Sequence, residues 1–197
     1  MKSFLIVLLW LSTFVFQSDI ISQTENSSLK HESDNLNQIR KLFYEAVENE
    51  VKLEELENLF ENKFSGKALI YNPTLLAYSG AIEALKAKHA FNPFKKFNYV
   101  LSSLEILERA VKRDEQNLEI RFIRFSILHN LPGIFGYSKE RKADVDEIVS
   151  QLSKKDYVKY DPKLQKYVIE FMLESERLND AQTRQLKKLA VALASNE

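Results

Sequence analysis

From residue 34 onward, apolar residues return at helical spacing in one run after another. The first run uses Leu36, Ile39, Phe43 and Val47, and the second Leu53, Leu56, Phe60 and Phe64, closing near Ser65-Gly66. The pattern is compatible with two helices here or with one long bent one. Residues 68–71 form an apolar connector whose Tyr71 is placed to pack on Leu76 as a hydrophobic staple. The third helix carries Leu75, Tyr78, Ile82, Leu85 and His89 on one stripe and the small residues Gly80, Ala84 and Ala87 on another, which predicts packing on two sides. The fourth shows Phe97, Leu101, Leu104 and Val111, with Leu107 beside them. In the fifth, Leu118, Phe122, Phe125 and His129 are joined by Ile120, Ile123, Ile127 and Leu128, an arc too wide for a surface helix, so it belongs at the centre of the core. Val145, Ile148, Val149 and Leu152 mark the sixth. Leu164, Tyr167, Val168, Phe171 and Met172 mark the seventh, and Leu186, Leu189, Ala190 and Leu193 the last.

The starts of these helices are written in the chain. Asn72-Pro73, Asn92-Pro93 and Asp161-Pro162 each set a side-chain acceptor before a proline. The acceptor can bond the free amides of a first turn, and proline loses nothing at the first helical position. With further starts near Asp114, Ser138 and Asn179-Asp180, the signals lie about 20 to 24 residues apart, so a helix pair repeats every 40-odd residues. Stacked pairs of this kind bury a continuous core. The stretch from Leu107 through Ala110 and Asp114 to Asn117 resembles the end of a tetratricopeptide repeat, in which an alanine packs inside the second helix and an acidic, asparagine-bearing turn leads onward. Here Glu115 stands where that family has proline. The nearest match to the preceding helix, Tyr78-Ser79-Gly80-Ala81, lies too far upstream for the family's period. More broadly the chain resembles small exported bacterial helical proteins of tetratricopeptide-like build. The resemblance implies a scaffold or binding role and brings no catalytic residues. The expected fold is all-α, with antiparallel helix pairs stacked as a tetratricopeptide-like right-handed array in a single domain over residues 34–197.

Ahead of that domain, Lys2 and the apolar run from Phe4 to Leu11, continued by Phe14-Val15-Phe16, have the form of a secretory signal. The run is shorter than a spanning helix needs. No Ala-x-Ala triplet follows; Ser18 and Ser22 are the candidate cleavage positions, and retention as a membrane anchor is the alternative. Residues 1–22 are therefore read as a signal peptide and 23–33 as a polar spacer, in which Asn26-Ser27-Ser28 fits a glycosylation sequon. The expected location is exported, periplasmic or secreted.

Composition narrows the chemistry. The 28 Lys+Arg balance 28 Asp+Glu, so no global field recruits nucleic acid or an acidic membrane. With no cysteine, disulfides, thiolate catalysis and Cys-held metal or iron–sulfur centres are excluded. No dinucleotide, phosphate-loop, nucleophile-elbow or His-Glu-x-x-His motif occurs, and no Glu stands three residues before His89 or His129, so neither cofactor nor metal is expected. His31 falls in the spacer.

A few residues invite a functional reading. His89 and His129 extend apolar stripes near helix C-termini, where capping is the structural use and acid–base or ligand chemistry the functional one. Arg121 and Arg124 lie one turn apart in the very apolar fifth helix, either clamping a carboxylate or phosphate or pairing with acids such as Glu105 or Glu108. Lys86, Lys88, Lys95 and Lys96 interleave with Phe91, Phe94 and Phe97. This pattern also occurs on single-strand nucleic-acid surfaces, but here it is expected to be a solvated face over core phenylalanines. The 131–137 loop concentrates glycine with Ile134, Phe135 and Tyr137, and either plugs the helix ends or presents an apolar surface. The expected role is non-enzymatic: a scaffold binding a protein or peptide partner, with membrane contact only if the N-terminal segment is retained. Its candidate surface is the 131–137 loop with Tyr78, His89, Arg121, Arg124 and His129. The alternative is a small anionic or apolar ligand held by Arg121, Arg124, His89 and His129 under that loop.

Overall fold

The computed structural model describes residues 34–64, 72–156 and 160–194, and among these it is helical throughout, with no strand. The signal-like segment, the spacer with His31, Ser65-Gly66 and the 68–71 connector with its Tyr71 staple lie outside the described residues. The chain runs through α1 (34–46), α2 (Glu50–Lys63), α3 (Pro73–His89), α4 (Pro93–Arg113), α5 (Leu118–Asn130), a 3-10 turn (Gly133–Phe135), α6 (Ser138–Ser153), α7 (Pro162–Glu174) and α8 (Asp180–Ala194).

All three Asx-Pro starts are caps in the predicted sense. The side chains of Asn72 and Asn92 each accept two first-turn amides, and Asp161 accepts one. The α8 start is a reciprocal pair, with the Gln182 amide donating to Asn179 Oδ1 and the Asn179 amide to Gln182 Oε1, both at 3.0 Å. Of the two arrangements open for 34–64 the chain adopts two helices, because Asn49 takes the amides of Val51 and Lys52 and opens α2. One start differs from the expected one. α5 starts from Asn117, since Asp114 terminates α4 and its amide bonds the carbonyls of Ala110 and Val111.

α3 lies along α4 and also packs on α2 and α5; α4 meets α5, α5 meets α6, and α6, α7 and α8 pack on one another. Close approach of α3 to α4 depends on Gly80, where a Cβ would stand 3.0 Å from Leu107 Cγ and 3.1 Å from Ile106 Cγ2. The apolar interior falls into two clusters. One gathers α1, α2, α3 and the C-terminal half of α4; the other gathers α6, α7 and α8 with Tyr160. α5 belongs to both, giving Ile120 and Ile123 to the first and Leu118, Phe122 and Phe125 to the second. Its wide apolar arc has this cause: the helix is walled on both sides and joins the two halves of the core.

The first turns of α4 depart from expectation. Phe91, Phe94, Phe97 and Leu101 are not core residues; Phe91 is 98% exposed and Phe94 81%. Burial on α4 begins at Ser103 and Leu104, because its N-terminal half runs out past the helices that cover the rest.

Candidate functional site

The inward faces of α1, α3, α5 and α7 leave a groove of about 610 Å3 between them, with Lys96, Val100 and Ser103 of α4 along one wall. Its walls are mostly apolar, formed by Phe43, Val47, Leu85, Phe122, Ile127 and Phe171 among others. The small residues Ala81, Ala84 and Ala87 of α3 keep it open, which gives the small-residue face predicted for that helix a second use.

A buried acid lies at the floor. Glu119 receives Arg40 Nε on Oε1 at 2.7 Å and Arg40 Nη2 on Oε2 at 2.6 Å, while the Tyr78 hydroxyl donates to Oε1 at 2.8 Å. The carboxylate is thus electrically closed by protein groups. The hydrogen bonds to Glu119 hold the Arg40 guanidinium charged well beyond its ordinary range. Burial drives the Tyr78 phenol far above its ordinary value, and the Glu119 charge adds to this. Tyr44 is raised by burial first and by Tyr167 second; the two rings meet edge to face at 5.0 Å. Phenols held this high keep their protons at neutral pH, so the floor offers fixed hydroxyls, not a base. One groove hydroxyl is unsatisfied: Ser103 Oγ is fully buried and has no hydrogen-bond partner among the described residues.

Of the residues singled out from the sequence, Tyr78, Lys88, Lys96 and Leu131 at the start of the 131–137 loop line this groove, whereas His89, Arg121, Arg124, His129, Ile134, Phe135 and Tyr137 do not. Arg124 donates from Nε and Nη2 to the two oxygens of Asp144 at 2.8 and 2.7 Å, and from Nη1 to Glu108. Arg121 reaches Asp144 Oδ1 at 3.0 Å and the Glu115 carbonyl at 2.7 Å. Both arginines are therefore internal ion-pair partners. Of the two acids expected to meet them, Glu108 does so, and Asp144 of α6 takes the larger share. His89 Nε2 lies 3.0 Å from the Ala46 carbonyl oxygen, fastening the end of α3 to the end of α1. His129 sits near the end of α5, its ring 5.9 Å from both Phe125 and Phe171, with Arg177 Nε 3.5 Å from Nδ1. Burial, and then Arg177 and Arg141, hold its pKa below the ordinary value. The 131–137 loop does part of each thing expected of it. Phe135 folds back onto Phe97 with ring centres 6.1 Å apart, while Ile134 is 92% exposed; Tyr137 directly precedes α6.

Sequence reasoning missed Arg40, Glu119, Asp144, Tyr44 and Ser103. A signal existed for one of them: Glu119 is an acid set on an otherwise apolar stripe with Phe122, Ile123 and Ile127, where an unpaired charge would be costly, whereas Asp144 stands among charged neighbours. Arg40 and Tyr44 sit among ordinary polar positions and carried none. Among the described residues no three His, Asp or Glu side chains converge on a metal position, and no helix is long and apolar enough to cross a membrane. No family model, curated protein or solved structure matches the chain.

Proposed function

We propose that this chain is an exported, non-enzymatic scaffold that binds a peptide segment of a partner protein in the groove between α1, α3, α5 and α7. The observation that carries this reading is the groove itself: apolar-walled, lined by alternate helices, with its one buried charge already closed by Arg40. Such a surface favours apolar side chains of a docked segment and leaves backbone groups of that segment near the tyrosine hydroxyls. The pairing of α3 with α4, α5 with α6 and α7 with α8 supports the further reading that the helices form a tetratricopeptide-like right-handed array, whose first helices line the concave side. The consumption of Arg121 and Arg124 by Asp144 and Glu108 removes the cationic clamp on which an anionic-ligand site would have depended.

The test is panning of a random peptide library on the full chain, with counter-selection on Ala84→Trp, which fills the groove from a partly exposed position. Enrichment of peptides with two or more apolar residues that bind the parent and lose at least tenfold in affinity on the variant is expected. Peptides that bind both equally would remove the groove from the reading. A second reading, a small amphiphile in the same groove, is favoured by the unpartnered Ser103 hydroxyl. Saturable uptake of a fluorescent polyene fatty acid, abolished by Ala84→Trp, would select it.

A further inference from the structure

The corner between α3 and α4 is largely uncovered by the other helices. Eight consecutive residues, 91–98, are exposed, although three of them are phenylalanines. Phe94 and Phe97 lie one turn apart with Leu101 one turn further, so they share a face of α4. The 3-10 turn after α5 joins them through the Phe97–Phe135 ring contact and adds the almost fully exposed Ile134. The result is one projecting apolar tip made from two separate corners of the chain. Exposed phenylalanines grouped in this way mark an interaction surface, where scattered ones would not.

The charges around the tip are of one sign. No acid occurs between Glu83 and Glu105, nor from Asn130 to Lys139. Lys86 is held by Glu57 and Glu83, and Lys88 by Glu48, so those two cations are spoken for. The backbone amides of Lys95 and Lys96 bond Asn92 in the cap, but their side-chain amines, on the two flanks of α4 behind the phenylalanine face, have no hydrogen bond or ion pair among the described residues. The shape also distinguishes occupants. A protein hot spot receives side chains in a concavity, whereas these rings protrude, and two corners standing at one end of the helices can reach a flat surface together.

We propose that this tip is a membrane-docking surface, on which Phe91, Phe94, Phe97 and Ile134 enter the interface of an anionic bilayer while Lys95 and Lys96 meet its headgroups. The docking is peripheral and belongs to the folded domain, independent of the apolar N-terminal segment. The tip is separate from the groove except at Lys96, which borders both.

Because the chain has no cysteine, a single Phe94→Cys carries one environment-sensitive nitrobenzoxadiazole label, and Lys187→Cys on exposed α8 provides a control. The full chain labelled at either place is titrated with vesicles of phosphatidylcholine alone or with about a third phosphatidylglycerol. On the anionic vesicles the label at 94 is expected to shift to shorter wavelength and to be quenched by shallow spin-labelled lipid, while the label at 187 does neither. Ile134→Ser is expected to weaken the interaction about tenfold and Lys95→Gln with Lys96→Gln roughly thirtyfold. Vesicle binding with the label at 94 still in water would assign attachment to the N-terminal segment and overturn the proposal. An equal response to neutral vesicles would overturn its electrostatic half. A shift on raising protein concentration without lipid, with doubling of mass, would make the tip a self-association surface instead.

Discussion

Replacing Asp144 by asparagine would remove the charge that Arg121 and Arg124 share while keeping volume and shape. Asp144 is wholly buried and accepts three guanidinium hydrogen bonds at 2.7 to 3.0 Å, two from Arg124 and one from Arg121. Arg124 is itself nearly buried; burial lowers its pKa, but the hydrogen bond to Asp144 and the Asp144 and Glu108 charges outweigh that and raise it. A guanidinium keeps its proton in a protein even without such partners, so Arg124 stays charged after the substitution. Breaking a buried pair from one side costs about 3 to 5 kcal/mol, because the remaining charge stays in place without its partner. Glu108 still holds Nη1 from a partly exposed position, and the Glu115 carbonyl still holds Arg121, so the lower end applies, about 3 kcal/mol. For a domain of this size that is roughly 6 to 12 °C in Tm. Urea denaturation followed by circular dichroism at 222 nm reads the loss directly. The double variant Arg124→Met with Asp144→Leu should recover most of it, since an apolar pair of similar volume replaces a buried ion pair at little cost. A loss under about 1 kcal/mol for the single change would refute the reasoning, as it would mean that the pair contributes no more than an exposed one.

Other substitutions test the remaining joints. Gly80→Ala gains about 1 kcal/mol of helix propensity but drives a methyl into Leu107 and Ile106, and with Leu107 fully buried a net loss of about 1 kcal/mol is expected by thermal melting; a rise in Tm would show that the α3–α4 contact yields. Tyr78→Phe removes a hydrogen bond to a buried carboxylate and should cost about 1.5 to 3 kcal/mol in urea, with helicity unchanged. His129 has a pKa below 6.5 in the folded state, so on acidification the unfolded chain takes up its proton first. This contribution to stability is present above about pH 6.5 and is lost as pH falls through the folded value. His129→Phe, which keeps a ring against Phe125 and Phe171, should flatten the fall in urea midpoint between pH 7.5 and 5.5, and an unchanged slope would assign the fall to other groups.

The helix starts were the most legible part of this chain, because a cap is local chemistry. Asn72, Asn92 and Asp161 use side-chain bonds to amides two or three residues away, and nothing elsewhere in the fold has to cooperate. The placing of α5 at the centre was legible for a related reason, since a helix apolar all round has to be walled on both sides. Asn49 was harder to see, as it interrupts an apolar period without a proline to mark it. The exposure of Phe94, Phe97 and Leu101 could not be read from period at all. They continue the stripe of Leu104 and Leu107 on the same helix, and what distinguishes them is only that α4 runs past the helices that cover its other half. The groove is less legible still. Its lining is spread from Phe43 to Phe171, with each helix lending a few side chains that carry no local signature, and the Arg40–Glu119 pair spans 79 positions.

The central claim is that the groove receives a peptide, and site-directed cross-linking measures it most directly. The cysteine-free chain allows one benzophenone maleimide at Ser126→Cys in the groove and, separately, one at Lys154→Cys, an exposed position after α6 outside the groove. A peptide enriched on the parent chain is expected to cross-link through position 126 and to be displaced by excess unlabelled peptide, with only background yield at 154. Equal yield at both positions, or capture at 154 alone, would contradict a binding groove between α1, α3, α5 and α7.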